Sequence, residues 1–285
     1  MAQTKPTARQ RVVARVLSKL RAECSLSQAD VAREMGWSKS KQEKIEAGNI
    51  NIRLADVRAL LALYGVTDKE RVEYLADLTR RARQPGWWHV HRAVVPSWAE
   101  VYFNLEEEAS SLRTFQQELV YGLLQTPEYI RALVTASIPR LEDDEIERII
   151  NVRVERQRRL ETSSHPLTLW VIMSEAVLRR QLHDRAAWTA QLKHILEKAE
   201  LPTVTMQVLP FSAGPHASMG ASFDILGFPE SADLDVLYLE ARQASSYQEE
   251  TGVVAEYSEV FDYLRGQALD PRKSLDFVAH LHREA

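Results

Sequence analysis

Residues 38–48, SKSKQEKIEAG, concentrate polar chemistry that suits a nucleic acid. Lys39, Lys41 and Lys44 place three cations within six positions, and Ser40 adds a hydroxyl. On a short helix such a set can reach phosphates and base edges in the major groove of double-stranded DNA. Glu43 interrupts the cationic run. A carboxylate repels phosphate, yet it can accept a hydrogen bond from cytosine N4; the other reading is a helical ion pair with Lys39 or Lys44. Gln42 stands where a buried apolar residue is expected. An unpaired buried amide costs about 1–3 kcal/mol. The alternative is that Gln42 reaches the surface and bonds to phosphate or backbone.

These side chains need a frame, and the preceding residues predict one. A first helix follows from Val12, Val13, Val16, Leu17 and Leu20 at helical spacing. Ser27 offers an N-cap to a second helix, with Asp30 three residues on. Gly36 ends that helix and Ser38 caps the third. Two steeply crossing helices need a small residue at their contact and a glycine at the turn, and Ala32 and Gly36 meet these demands. Val31, Met35, Trp37 and Ile45 supply the apolar contacts, leaving Lys39, Ser40, Lys41, Glu43 and Lys44 for the groove. A fourth helix fits LADVRALLALYG, and Thr67 with Glu70 predicts a capping box for a fifth, reaching residue 83.

Charge divides the chain at the same place. The whole carries a net −4, but residues 1–83 hold 17 Lys and Arg against 10 Asp and Glu, a net of +7. The remainder, with 19 basic and 30 acidic side chains, has a net of −11. A basic head on an acidic body directs only the head to a polyanion. No apolar run of roughly 18 residues predicts a membrane span. The single Cys24, with no signal-like N-terminus, predicts a reducing cytoplasm.

Residues 84–98, QPGWWHVHRAVVPSW, read as an ordered aromatic connector in which Trp87, Trp88 and Trp98 pack between domains or across a dimer. Residues 99–285 read as an α+β domain with a small antiparallel sheet. AEVYFNLEEEASSLRTFQQ is expected to be helical and ELVYGLL a short buried strand. Thr126-Pro127-Glu128 is a helix start. A long helix carries Ile146, Ile149, Ile150 and Val154 on one face. LTLWVIM, TVTMQVLP, SFDILGF and DVLYLE read as strands, followed by helices near 252–267 and 272–283. The expected fold is thus a mainly α helix-turn-helix bundle joined to this α+β domain.

Residues 8–65 resemble the XRE (Cro/repressor-like) helix-turn-helix family, through LSQADVAREMGWSKSKQEKIEAG and the trailing VRALLALYGV. The resemblance implies that Gln28, which opens the second helix, holds a DNA phosphate; Arg53 is expected to hold the backbone with it. The body resembles the C-terminal domain of WhiJ-like actinobacterial regulators. The pieces that carry this are PGWW, LEEEASSLRTFQQELVYGLLQTPEYIRAL, SEAVLRRQ and FDILGFPESADLDVLYLE. Tyr121 replaces the proline usual in VPGLLQT. The resemblance implies a transcription regulator, often encoded beside a small partner protein and compared with toxin–antitoxin pairs.

Other clusters point elsewhere less strongly. His89 with His91, and His280 with His282, lack a nearby third ligand, so no metal is expected. Arg153, Arg156, Arg158 and Arg159 read as a solvated face paired with Glu147, Glu155 and Glu161. Residues 210–220, PFSAGPHASMG, lack the G-K-[ST] of a phosphate loop. No cofactor and no enzymatic activity are expected. The sequence predicts a DNA-binding regulator acting as a homodimer, because two half-sites multiply the specificity of one short helix. Its body would dimerise or bind a small partner protein. The alternatives are a body that senses a small molecule, or an antitoxin-like interaction module.

Overall fold

The computed structural model describes residues 8–82, 84, 86–91, 94–95, 97–138, 140–161, 166–228, 235–241 and 244–285. Two compact units divide the chain: residues 1–90 with 99–108, and residues 91–98 with 109–285.

Among the described residues the first unit is built by α1 (Ala8–Glu23), α2 (Gln28–Glu34), α3 (Lys39–Glu46), α4 (Leu54–Leu63), α5 (Lys69–Arg81) and, from residue 99 on, α6 (Ser97–Glu108). The apolar stripe of α1 turns inward as its spacing predicts, with Val12, Val13, Val16, Leu17 and Leu20 all buried. Cap chemistry sets the starts of α2 and α3. Ser27 and Asp30 form a reciprocal capping box, and the Ser38 side chain accepts from the Lys41 backbone N–H. The cap of α5 is Asp68, whose carboxylate accepts from the Glu70 N–H, one residue later than the expected Thr67. Either side chain can cap, and Asp68 is the residue that holds the extended backbone at the helix entry, with φ −65° and ψ 114°.

The last helix of this unit is held by charge. Arg9 is 3% exposed, and its Nε donates to Glu108 Oε1 at 2.7 Å while Nη2 lies 2.8 Å from Glu107 Oε2. Arg81 Nη1 donates to the same Glu108 oxygen at 2.8 Å. In the aromatic segment a 3-10 turn, Trp87–His91, buries Trp88. Trp87 stacks on Phe103 of α6 at 5.7 Å between centroids, and Trp88 meets the same ring edge-on at 6.3 Å. A Cβ on Gly86 would sit 1.9 Å from Trp88 Cη2, so only glycine fits beneath that indole. The Trp98 side chain lies outside the described residues.

The second unit overturns the expected small antiparallel sheet. Among the described residues six strands, β1 (Ser111–Gln116), β2 (Thr168–Ser174), β3 (Val204–Leu209), β4 (Phe223–Gly227), β5 (Val236–Ala241) and β6 (Ala244–Gln248), lie in the order β3-β2-β1-β4-β5-β6. The β3-β2-β1 half is parallel and the β4-β5-β6 half antiparallel. The chain between strands explains the mixture. Helices α7 (Pro127–Thr135) and α8 (Asp143–Gln157) separate β1 from β2, and α9 (Glu175–Arg179) and α10 (Arg185–Lys198) separate β2 from β3. Such crossovers return the chain in the same direction, whereas the short links after β4 reverse it.

β1 occupies residues expected to be helical, while the ELVYGLL stretch expected to be a strand is loop and a 3-10 turn, Gly122–Leu124. The strand signal of β1 is masked by polar side chains on one face. Thr114 is fully buried and its Oγ1 donates to Asp224 Oδ1 on β4 at 2.6 Å. Gln116 Nε2 donates to Thr114 Oγ1 at 2.8 Å. On the opposite face, α11 (Thr251–Gln267) packs Val254, Phe261 and Leu264 against Phe115, Ile172, Phe223 and Leu237. Thr126 caps α7 with Pro127 at its start, and Ile130 and Val134 pack on Ile146 and Ile150 of α8. On α8, Ile146 and Ile150 are buried, but Val154 is exposed and Val152 turns inward instead.

Helix α12 (Pro271–Glu284) finishes the margin at β3. The buried Ser274 Oγ accepts from the Val208 N–H at 2.9 Å, and the Leu269 N–H donates to the Val208 carbonyl at 2.9 Å. Among the described residues, no helix is long and apolar enough to cross a membrane.

Candidate nucleic-acid interface

Helices α2 and α3 are joined by a turn in which Gly36 has φ +67°, a left-handed conformation that a residue with a Cβ adopts at a cost. Val31, Ala32 and Ile45 are buried at the contact of the two helices. Successive residues of an α-helix rotate by about 100°. With Gln42 and Ile45 turned inward, this rotation places Ser40, Glu43 and Lys44 on the opposite, exposed side of α3.

The inward face is organised around a carboxylate. Glu46 Oε1 accepts from Arg21 Nε at 2.7 Å and from Gln42 Nε2 at 2.7 Å. Its Oε2 accepts from Arg21 Nη2 and from Gln28 Nε2, each at 2.9 Å, and from Ser18 Oγ at 3.2 Å. Trp37 Nε1 completes the set by donating to Gln42 Oε1 at 3.1 Å. Gln42 is therefore fully buried with both ends of its amide bonded, neither unpaired nor drawn to the surface. Glu46 and Trp37 provide the partners that an apolar position would not need.

Burial alone would raise the Glu46 carboxyl, but the bonds from Arg21, Gln28 and Gln42 outweigh it and hold the group below its ordinary pKa. The same Arg21 bond raises the guanidinium. Burial, with the nearby Glu46 charge, pushes the Tyr64 hydroxyl up to about 12.

The predicted contact residues fall into three groups. Ser40, Glu43 and Lys44 share the exposed face, flanked by Lys39, whose Nζ lies 3.4 Å from Glu43 Oε1. Lys44 makes no ion pair among the described residues. Lys41 is turned aside: its Nζ sits 3.8 Å from the centre of the Trp37 ring and 3.4 Å from Asp56 Oδ2. Arg53, at the N-cap of α4, forks onto the same Asp56 with Nε and Nη2 at 3.1 and 3.0 Å. Burial opposes ionisation of Asp56, yet the Arg53 bond and the Lys41 charge prevail and lower its pKa. Gln28 stands apart from both groups, bonded to Glu46.

Arg21 and Asp56 escape sequence reasoning as parts of this site, as do the partners of Glu46. The Arg21–Glu46 contact spans 25 positions, and Lys41–Asp56 spans 15, so no local spacing announces either.

A model of a helix-turn-helix domain matches residues 12–74, which contain all these side chains. A second model, described as Domain of unknown function (DUF5753), matches residues 99–280, more than half of the chain. The chain belongs to the DUF5753 family. Comparison with curated proteins and with solved structures found no match.

Within the DUF5753 region, the segment YGLLQT is a structural hub. Gln157 Nε2 of α8 donates to the carbonyls of Gly122 and Gln125 at 3.1 and 2.7 Å. Gln191 of α10 donates to the Leu124 carbonyl at 2.7 Å and accepts from the Thr126 N–H at 2.8 Å. Two buried amides thus satisfy a buried turn that no sheet or helix ladder serves. The Arg156 guanidinium lies over Gly122, with Nη1 3.1 Å from the place of a Cβ, and over the Tyr121 ring at 6.0 Å. The arginines of α8 therefore differ from a plain solvated face. Arg153 Nη1 donates to Gln125 Oε1 at 3.2 Å, while Arg158 pairs with Glu155 at the surface.

Proposed function

We propose that this DUF5753 protein is a sequence-specific, DNA-binding transcription regulator. The observation that carries the reading is the division of α3 into an inward face locked by Glu46 and an exposed face of Ser40, Glu43 and Lys44. A recognition helix needs both: rigid support behind, and polar side chains free to meet base edges in front. Gln28 suits a phosphate contact despite its bond to Glu46. A primary amide carries two N–H donors, so one hydrogen remains for the DNA backbone. Arg53, with a largely exposed side chain, and Lys41 reach phosphate if their Asp56 bonds yield to it.

The protein acts without enzymatic chemistry, in the cytoplasm, as a homodimer whose two recognition helices read half-sites about one helical turn, roughly 34–36 Å, apart. Its DUF5753 region dimerises or binds a small partner protein encoded nearby; the resemblance to WhiJ-like regulators supports this role. A small-molecule sensor is the second reading, favoured by the cleft beside α11 described below.

Selection of bound sequences from random duplexes by the full-length protein tests the proposal. Enrichment of a two-fold symmetric site is expected. Failure to enrich any sequence at low salt would remove the regulator reading.

A further inference from the structure

A cavity of about 820 Å3 opens in the DUF5753 unit beside α11. Its size lies within the roughly 300–1,000 Å3 of small-molecule pockets. Arg113 of β1 and Asp235, just before β5, form one wall, and residues of α11 form the other. Glu259, Asp262, Tyr263 and Gly266 follow at i, i+3, i+4 and i+7, so one edge of α11 presents them together.

The cleft is negative once its internal pair is set aside. Arg113 Nη2 lies 3.2 Å from Asp235 Oδ2 and donates to Ser258 Oγ at 3.2 Å, so this guanidinium is already matched by a carboxylate. Glu259 makes no ion pair among the described residues, and Asp262 meets only Arg265, at 3.4 Å and exposed. Beside these two acids the Tyr263 ring is 64% exposed. Carboxylates next to an aromatic face recognise an ammonium group through charge and the ring quadrupole. Ala255 and the bare backbone at Gly266, both exposed, offer apolar contact. A Cβ added at Gly266 would meet nothing within 4 Å, so packing inside the protein does not demand glycine there.

From this arrangement we infer that the cleft binds an amphipathic organic amine, its cationic nitrogen against Glu259, Asp262 and Tyr263 and its apolar portion along Ala255 and Gly266. The assignment stands apart from DNA reading, and its test uses no DNA.

Isothermal titration of the full-length protein with octylammonium chloride, sodium octanoate and octanol tests it. Saturable one-to-one binding of octylammonium is expected, at least tenfold tighter than either of the others. Gly266→Leu fills open space with a better helix former, and should abolish binding while the melting temperature holds or rises. The pair Glu259→Gln and Asp262→Asn should weaken octylammonium at least tenfold, and decides the question if Gly266→Leu fails to fold. Absence of saturable octylammonium binding, equal binding of octanoate, or undiminished binding in a folded variant would each overturn the inference.

Discussion

Glu46, at the end of α3, lies 2.7 Å from Arg21, near the end of α1, and each oxygen of the carboxylate takes one guanidinium hydrogen bond. A fork of this kind fixes the rotation of α3 as well as its position. Removing one partner of a buried pair leaves the other charged and unmatched, which costs about 3–5 kcal/mol. Glu46→Gln is expected to lower stability by that amount, read from urea unfolding midpoints. A loss under about 1 kcal/mol would mark the pair as an ordinary surface bridge.

The same carboxylate gives a pH dependence with a definite sign. Its folded pKa is depressed, so its contribution is fully present above the unfolded value, about 4.3, and is lost as pH falls through the folded value. Unfolding followed from pH 6 to pH 3 should show a steeper fall for the native protein than for Glu46→Gln. Parallel curves would refute the assignment.

On the exposed face, Lys44 and Glu43 should separate by the kind of effect they have. Lys44→Ala is expected to weaken operator binding by about 1–3 kcal/mol, and to reduce the salt slope by about one if the contact is to phosphate. Glu43→Gln should leave the salt slope unchanged and alter base preference at one position, as a cytosine N4 contact requires. Lys41→Ala should cost less than Lys44→Ala, because Lys41 already has Trp37 and Asp56 as partners. Gel shifts over a salt series distinguish these outcomes.

Beneath the Trp88 ring, Gly86→Ala forces a methyl into occupied space. A loss of about 1–3 kcal/mol is expected from overpacking, accompanied by a change in tryptophan fluorescence. Unaltered stability would show that the indole moves aside freely.

Truncation tests the place of α6. A fragment of residues 1–83 lacks Glu107 and Glu108, leaving the buried Arg9 guanidinium without its carboxylates. It should unfold at lower urea than a fragment of residues 1–110, by about 3 kcal/mol or more. Equal midpoints would show that the helix adds nothing.

The parts of this fold legible in sequence are those fixed by neighbours three or four residues apart. The Ser27–Asp30 capping box, the Ser38 cap and the Thr126-Pro127 start are local events, and each stands where the residues place it. The Gly36 turn is legible for the same reason, since its backbone angle needs no distant partner. β1 is different: Thr114 and Gln116 look like surface residues until Asp224, 110 positions after Thr114, supplies their bonds. Strand direction likewise follows from the helices between strands rather than from the strands themselves. In the candidate site, the exposed face of α3 can be read from helical rotation, and so can the apolar contact of Val31, Ala32 and Ile45 behind it, but the polar support cannot. Gln42 is intelligible only beside Glu46 and Trp37, and Glu46 only beside Arg21.

One margin of the sheet is finished by a hydroxyl. Ser274 and Leu269 occupy the outward N–H and carbonyl of Val208, so a passing strand finds those two groups of β3 already engaged. The far margin, β6, pairs with β5 along one side; it is short and spelled ASSYQ, with little apolar surface to draw another chain. Of the two margins, β6 is the shorter strand and the more polar one, a composition that discourages further pairing.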